Sequence, residues 1–183
     1  MRGKIIRVLE VGSGTGKWIT AKARKNPSGV YVALDPAYAG HPVNPATREF
    51  LRPMREAGVV IRGTTIQRYL LTLIRNKTRV RTINADLPTW RANSNSYVHA
   101  LLAVSPKVLL PNGRIFMTVE KGTFEKEVVQ NELIFAREMG FVVSVKNVGL
   151  GIANKTHDTK MFSTAYGTPL KLVIFTLETP KNK

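Results

Sequence analysis

Ile5-Ile6-Arg7-Val8-Leu9-Glu10 runs into Val11-Gly12-Ser13-Gly14-Thr15-Gly16, and the reading of this stretch decides the fold. The β-branched run predicts a buried first strand. The three glycines predict a sharp turn whose backbone can approach a ligand closely. Lys17 to Lys25 then predicts a helix, stopped before Asn26-Pro27-Ser28-Gly29. The start of that helix offers free N–H groups. The spacing is G-x-G-x-G, not the G-x-G-x-x-G of dinucleotide binders. It is not a phosphate-binding loop either, because Trp18 stands in place of Ser/Thr and Val11 in place of the first glycine. A tight strand–helix turn without a ligand is the simpler alternative.

Outward from this turn, strands and helices alternate. Val30-Tyr31-Val32-Ala33-Leu34 predicts a second strand that ends at Asp35-Pro36. A loop rich in Gly and Pro over 36–45 precedes a helix from Pro45 to Ala57, which Pro53 kinks or splits. Val59-Val60-Ile61 is a short third strand. Thr65 to Asn76 carries Ile66, Tyr69, Leu70, Leu73 and Ile74 at helical spacing. Val80 to Asn84 is a fourth strand, and Asn95 to Leu110 a helix with Pro106 inside it. Pro111-Asn112-Gly113 is a turn into a fifth strand, Arg114 to Val119. Thr123 to Met139 is a helix closed by Gly140 in a left-handed cap. Phe141 to Lys146 and Leu170 to Leu177 are the sixth and seventh strands. The alternation predicts an α/β fold: an open, mostly parallel sheet with helices on both faces. Ligands of such sheets bind outside the carboxyl ends of the strands.

The chain has 183 residues, which suits a single domain over 1–183. Cysteine is absent, which excludes disulfides, thiolate zinc sites and a cysteine nucleophile. His41, His99 and His157 are far apart in sequence, so no metal is expected. No apolar run approaches the roughly 18 residues of a membrane span. Met1 to Arg7 lacks the apolar core and cleavage site of a secretory signal. The expected location is the cytoplasm or another reducing intracellular compartment.

Charge points to the partner. Twenty-eight Lys and Arg against twelve Asp and Glu give a net charge of +16. That balance predicts a polyanionic partner, with nucleic acid favoured over a membrane surface. The charge is also uneven. Residues 57–85 hold no acid but six bases: Arg62, Arg68, Arg75, Lys77, Arg79 and Arg81. Residues 1–34 hold seven bases and one acid, Glu10. The helix over 123–139 is instead rich in Glu. Lys155 and Lys160 add a second basic area beside a loop that could cover the site, with Lys181 and Lys183 in the tail.

Asp35 closes the second strand 19 residues after Gly16. A carboxylate there can accept from both hydroxyls of a ribose, or it can cap the Pro36 turn. Val8 to Gly16 resembles the first motif of class I S-adenosylmethionine-dependent methyltransferases, and Val30 to Asp35 resembles their second. Leu109-Leu110-Pro111-Asn112-Gly113-Arg114 resembles the family's helix–turn–fifth-strand segment. The resemblance covers almost the whole chain. It implies a seven-stranded sheet in the order 3-2-1-4-5-7-6, with a reversed last strand. It also implies S-adenosyl-L-methionine as cofactor. Gly12, Ser13, Gly14 and Gly16 would then meet its methionine half, Asp35 its ribose, and Glu10 the glycine loop or the amino group. Thr64, in Arg62-Gly63-Thr64-Thr65, stands where the family recognises adenine.

Asn84-Ala85-Asp86-Leu87-Pro88-Thr89-Trp90 follows the fourth strand, which in this fold places it beside the transferable methyl group. Pro88 and Trp90 suit stacking on a nucleobase. Asp86 is the candidate general base and Asn84 its orienting partner, with a further contact to the cofactor. The stretch loosely resembles the Pro-Asp-Pro-Trp motif of tRNA guanine-N7 methyltransferases, with Leu87-Pro88-Thr89-Trp90 lacking its second proline and its central acid. Thr164-Ala165-Tyr166-Gly167 is similar to a Thr-x-x-Glu element of those enzymes, with Gly167 in place of Glu. Arg91, Arg62, Arg68, Lys155 and Lys160 are the candidate RNA contacts.

These features together predict an S-adenosylmethionine-dependent methyltransferase acting on a tRNA or rRNA nucleobase. Substrate selection would come from the domain's own surface, a protein partner or a homodimer. Two alternatives remain open at this point. One is a non-catalytic RNA-binding or assembly subunit with the same fold. The other is a methyltransferase for a protein or small molecule.

Overall fold

The computed structural model describes residues 5–13, 16–39, 49–85, 97–148 and 170–178. The strands are β1 (Ile5–Val11), β2 (Tyr31–Leu34), β3 (Val60–Arg62), β4 (Arg79–Ala85), β5 (Leu109–Glu120), β6 (Phe141–Val148) and β7 (Leu170–Leu177). The helices are α1 (Lys17–Lys25), α2 (Arg52–Glu56), α3 (Ile66–Arg75), α4 (Tyr97–Val104), α5 (Lys121–Phe124) and α6 (Glu127–Glu138). The seven strands form one sheet in the order β3-β2-β1-β4-β5-β7-β6. The pairs from β3 to β5 are parallel, whereas β7 runs antiparallel to both β5 and β6. The predicted strand order and reversed last strand are those found.

Strand alternation sends side chains to two cores. Leu9, Val11, Val32, Leu34, Ile83, Ile115, Val173 and Phe175 meet Ile66, Leu70 and Leu73 of α3, Leu101 of α4 and Leu133 of α6. Val8, Tyr31 and Ala33 meet Ile19 and Ala23 of α1 and Met54 of α2 on the opposite face. Burying each large aliphatic chain of this kind contributes about 1.5–3 kcal/mol.

The differences from the sequence reading come mainly at prolines and turns. The helix expected to reach Leu110 ends at Val104, and Ser105–Lys107 continues as a 3-10 turn with Pro106 in its first positions. Proline lacks the N–H that an α-helix needs and disfavours α geometry in the residue before it. Pro53 splits its helix and does not kink it: α2 begins at Arg52, where a first-turn proline loses no hydrogen bond. The helix expected over 123–139 is two, because Lys126 adopts extended geometry (φ −71°, ψ 144°). The Gln130 side chain there donates to the Phe124 carbonyl at 2.6 Å. Pro111-Asn112-Gly113 lies inside β5 as an irregularity. Pairing with β4 jumps from Leu109 beside Val80 to Arg114 beside Thr82, and Asn112 has φ 58°. Gly140 closes α6 with φ 86°, as expected.

Candidate functional site

The carboxyl ends of β1, β2, β3 and β4 bring together Glu10, Gly12, Ser13, Gly16, Asp35, Arg62, Thr64 and Asn84. Strand register explains the centre of this group. Glu10 pairs with Ala33 on one side and with Asn84 on the other, and Asn84 pairs with Phe116. In parallel strands such partners share one face of the sheet. Here it is the α1 face.

Two polar residues in this row are buried, Glu10 at 3% and Asn84 at 6% exposure. The Asn84 Nδ2 is buried without a hydrogen-bond partner among the described residues, as is the Thr20 hydroxyl on α1. An orphaned buried donor costs about 1–3 kcal/mol, so an acceptor delivered by a ligand would recover that energy.

The glycine turn divides by role. Gly12 is exposed, with φ 69°, and a Cβ built on it meets nothing within 4 Å. Its N–H donates to the Leu34 carbonyl at 2.8 Å. Gly16 is buried, with φ 63°, and serves as the N-cap of α1. A Cβ there would run into the Met54 side chain, with Cγ and Cε both at 2.7 Å. Gly16 therefore lets α1 pack on α2, whereas Gly12 leaves the turn open. The Ser13 hydroxyl accepts the Leu34 N–H at 3.0 Å and donates to the Glu10 carbonyl at 3.1 Å. Ser13 thus fastens the turn to the end of β2 with its side chain turned into the protein. The first turn of α1 has neither a side-chain cap nor an acidic residue. Its N–H groups and the helix dipole favour a negative charge there.

Asp35 sits in extended geometry after β2, and its Oδ1 accepts the Ala37 N–H at 2.9 Å. The cap reading of Asp35 is therefore realised. Its backbone N–H donates to the Arg62 carbonyl at 3.1 Å, which ties the ends of β2 and β3 together. Gly63 then lies against Tyr38 and Ala39, and a Cβ on it would be 2.6 Å from the Ala39 Cα. Thr64 is half-buried beside this junction, while Arg62 and Arg68 are exposed. Burial pushes the Tyr69 phenol above its ordinary range. The Arg62 guanidinium, which hydrogen-bonds to it, pulls part of the way back.

Gly14, Asp86, Pro88, Trp90, Arg91, Lys155 and Lys160 lie outside the described residues. Sequence reasoning missed the Met54 contact and the Arg62–Tyr69 pair, both of which join separate elements. His99 is held as a packing residue: its ring stacks on Phe135 at 4.2 Å and its Nδ1 lies 3.2 Å from Glu132. Among the described residues no three His, Asp or Glu side chains form a metal-binding group. No described helix is long and apolar enough to cross a membrane.

No protein-family model matches the sequence, and no curated protein matches it. Solved structures do match the fold. The antibiotic-resistance methyltransferase Kmr aligns with TM-score 0.63 at 16% identity, over 98% of this chain and 90% of its own. A 16S rRNA adenine-N1-methyltransferase from Catenulisporales acidiphilia aligns with TM-score 0.62 at 13% identity, over 98% and 88%. A precorrin-6y methyltransferase from Geobacter metallireducens aligns with TM-score 0.59 at 14% identity, over 95% and 82%. Sheet order, reversed last strand and these alignments agree that this chain has the class I methyltransferase fold.

Proposed function

We propose that the chain is an S-adenosylmethionine-dependent methyltransferase whose acceptor is RNA. The observation that carries the cofactor half is the juxtaposition at the carboxyl edge. An open Gly12 turn, buried Glu10 and Asn84, an uncapped α1 start and Asp35 all converge there. These groups fit an amino-acid zwitterion attached to a ribose. The N–H groups of α1 suit its carboxylate, Glu10 its ammonium and Asp35 the ribose hydroxyls. Gly14 joins them as part of the same turn in sequence, and Thr64 stands where the adenine edge would lie. When bound, S-adenosylmethionine supplies a sulfonium-activated methyl group, which leaves alignment and desolvation to the protein.

The protein's own chemistry is small. Asp86 directly follows β4 in sequence and would take the proton of an acceptor N–H or O–H. Asn84 would orient the acceptor. Pro88 and Trp90 would stack on its base, and Arg62, Arg68, Arg91, Lys155 and Lys160 would meet phosphates. Fold-mates include an enzyme named for rRNA and one named for a precorrin, so the fold leaves the acceptor open. The net charge of +16 favours the polyanion.

Calorimetric titration with S-adenosylmethionine tests the first half. The expected result is micromolar binding that Asp35→Ala weakens about 10- to 100-fold, since a lost hydrogen bond of a charged group costs roughly 1.5–3 kcal/mol. Tritium transfer from labelled cofactor to tRNA or rRNA tests the second half. RNA binding with no cofactor binding would instead favour a non-catalytic subunit.

A further inference from the structure

The carboxyl edge absorbs Glu10, Asp35 and Asn84, and the opposite edge of the sheet holds a separate cleft. Arg7, Val8, Lys22, Lys25, Asn26 and Tyr31 line an open cleft of about 290 Å3. Arg7 comes from the first half of β1, Tyr31 from the first residue of β2, and the other three polar residues from the end of α1. Arg7 and Val11 are four residues apart on β1, which places the cleft roughly 13 Å from the glycine turn at about 3.3 Å per residue.

The cleft is built. Tyr31 is 3% exposed, and its hydroxyl donates to the Asn26 carbonyl at 3.1 Å. With the Asn26 amide oxygen turned toward Arg7, it accepts from both guanidinium Nη atoms at 3.2 Å. A neutral amide thus orients Arg7 and leaves its charge uncancelled. Gly29 makes the space: a Cβ there would sit 2.7 Å from the Arg7 Cδ and 2.8 Å from the Tyr31 Cε2. The dipole of α1 accounts for Lys22 and Lys25 at its carboxyl end. It does not account for Arg7, which arrives from the sheet.

The surroundings extend the charge. Arg75 ends α3, Lys77 follows it, Arg79 opens β4, and Lys107 precedes β5, all along the same edge. Arg79 donates to the Lys107 main-chain carbonyl at 2.8 Å, which fixes its guanidinium at the start of β5. The acids of this edge lie toward its two ends. Glu56 stands near β3 beside Arg52, and Glu138 and Glu178 stand near β6 and β7. Among the described residues no carboxylate pairs with Arg7, Lys22 or Lys25.

We infer that this amino-edge cleft is a phosphate-binding anchor for the RNA backbone, remote from methyl transfer. The inference rests on the RNA-acceptor reading and adds where the acceptor is gripped. Arg7 supplies the planar fork that suits phosphate oxygens, and Lys22 and Lys25 supply point charges. An anchor at the far edge selects for an RNA long or folded enough to reach both ends of the domain.

The test uses the full chain and the triple variant Arg7→Gln/Lys22→Gln/Lys25→Gln. The probes are fluorescein-labelled tRNA and a labelled 30-nucleotide hairpin, titrated by anisotropy over a series of KCl concentrations. The expected result is an affinity at least about tenfold weaker and a log K against log salt slope smaller by about 2–3, from three lost phosphate contacts. Affinity for S-adenosylmethionine should stay as in the parent, which shows that the variant folds. An unchanged RNA affinity and slope would overturn the anchor and leave the RNA reading standing. No RNA binding by the parent protein would overturn both. Tight binding of inorganic phosphate that tRNA fails to displace would overturn the anchor in favour of a small-anion site.

Discussion

At the carboxyl edge of the sheet, β1 and β4 end in buried polar groups beside an open glycine; at the amino edge, β1 and β2 begin beside exposed bases. Asn84 and Glu10 are as buried as the aliphatic residues around them. Arg7, Lys22 and Lys25 stand in solvent around a cleft. The two arrangements differ in what they cost the fold. Holding the Asn84 Nδ2 in the interior without a partner among the described residues sacrifices stability, about 1–3 kcal/mol. Like charges in water repel weakly and are screened within about 10 Å. The carboxyl edge therefore carries a buried polar group at a cost to stability, and the amino edge is where charge accumulates at little expense.

The sharpest way to break this contrast lies inside the glycine turn itself. Gly16→Ala should destabilise the protein by about 2–5 kcal/mol in urea unfolding. Left-handed strain accounts for roughly 1–2 of that and the collision with Met54 for roughly 1–3. Gly12→Ala has the strain but no collision, so about 1–2 kcal/mol is expected. Met54→Ala should cost less in the Gly16→Ala background than alone, as a double-mutant cycle would read. Equal costs at the two glycines would erase the division between a packing glycine and an open one.

Asn84→Leu probes the buried row. Removing the Nδ2 donor, which has no partner among the described residues, should raise the cofactor-free stability by as much as about 1–3 kcal/mol while weakening S-adenosylmethionine binding. A variant that is less stable would mean that the amide already serves the fold. The smallest effect is alkaline. Burial favours the neutral Tyr69 phenol, so its folded pKa lies above the unfolded value of 10.0. The folded state then holds the proton longer. This contribution is complete below pH 10 and is lost as pH rises through the folded pKa. Tyr69→Phe should flatten that decline in pH-dependent thermal unfolding.

Much of the fold was legible because its signals are local. Ile5 to Val11 is β-branched, the glycines follow at once, and α1 ends before Asn26-Pro27. The helix boundaries at Val104 and Lys126 were not legible in the same way. At Pro106 the periodic apolar pattern continues past the point where the backbone loses its hydrogen bond. At Lys126 the backbone turns extended between α5 and α6, and no glycine or proline in the sequence marks the break. The candidate site could be read from the sequence in residue type, whereas the packing roles of its glycines and serine could not. Gly12 and Gly16 read alike in sequence, and Ser13 reads as part of a ligand turn. Only contacts with Leu34 and Met54, from other elements, separate their jobs.

By itself, the sequence determined the order of strands and helices, the glycine turn with Asp35 behind it, and the excess of positive charge. These depend on residue type and short-range spacing. Tertiary structure decided that Glu10 and Asn84 stand side by side and buried, because strand register is a pairing between distant segments. It also decided that Arg7, Lys25 and Tyr31 share one cleft on the far edge. No periodicity in the chain encodes that meeting; it exists only once β1, α1 and β2 have packed.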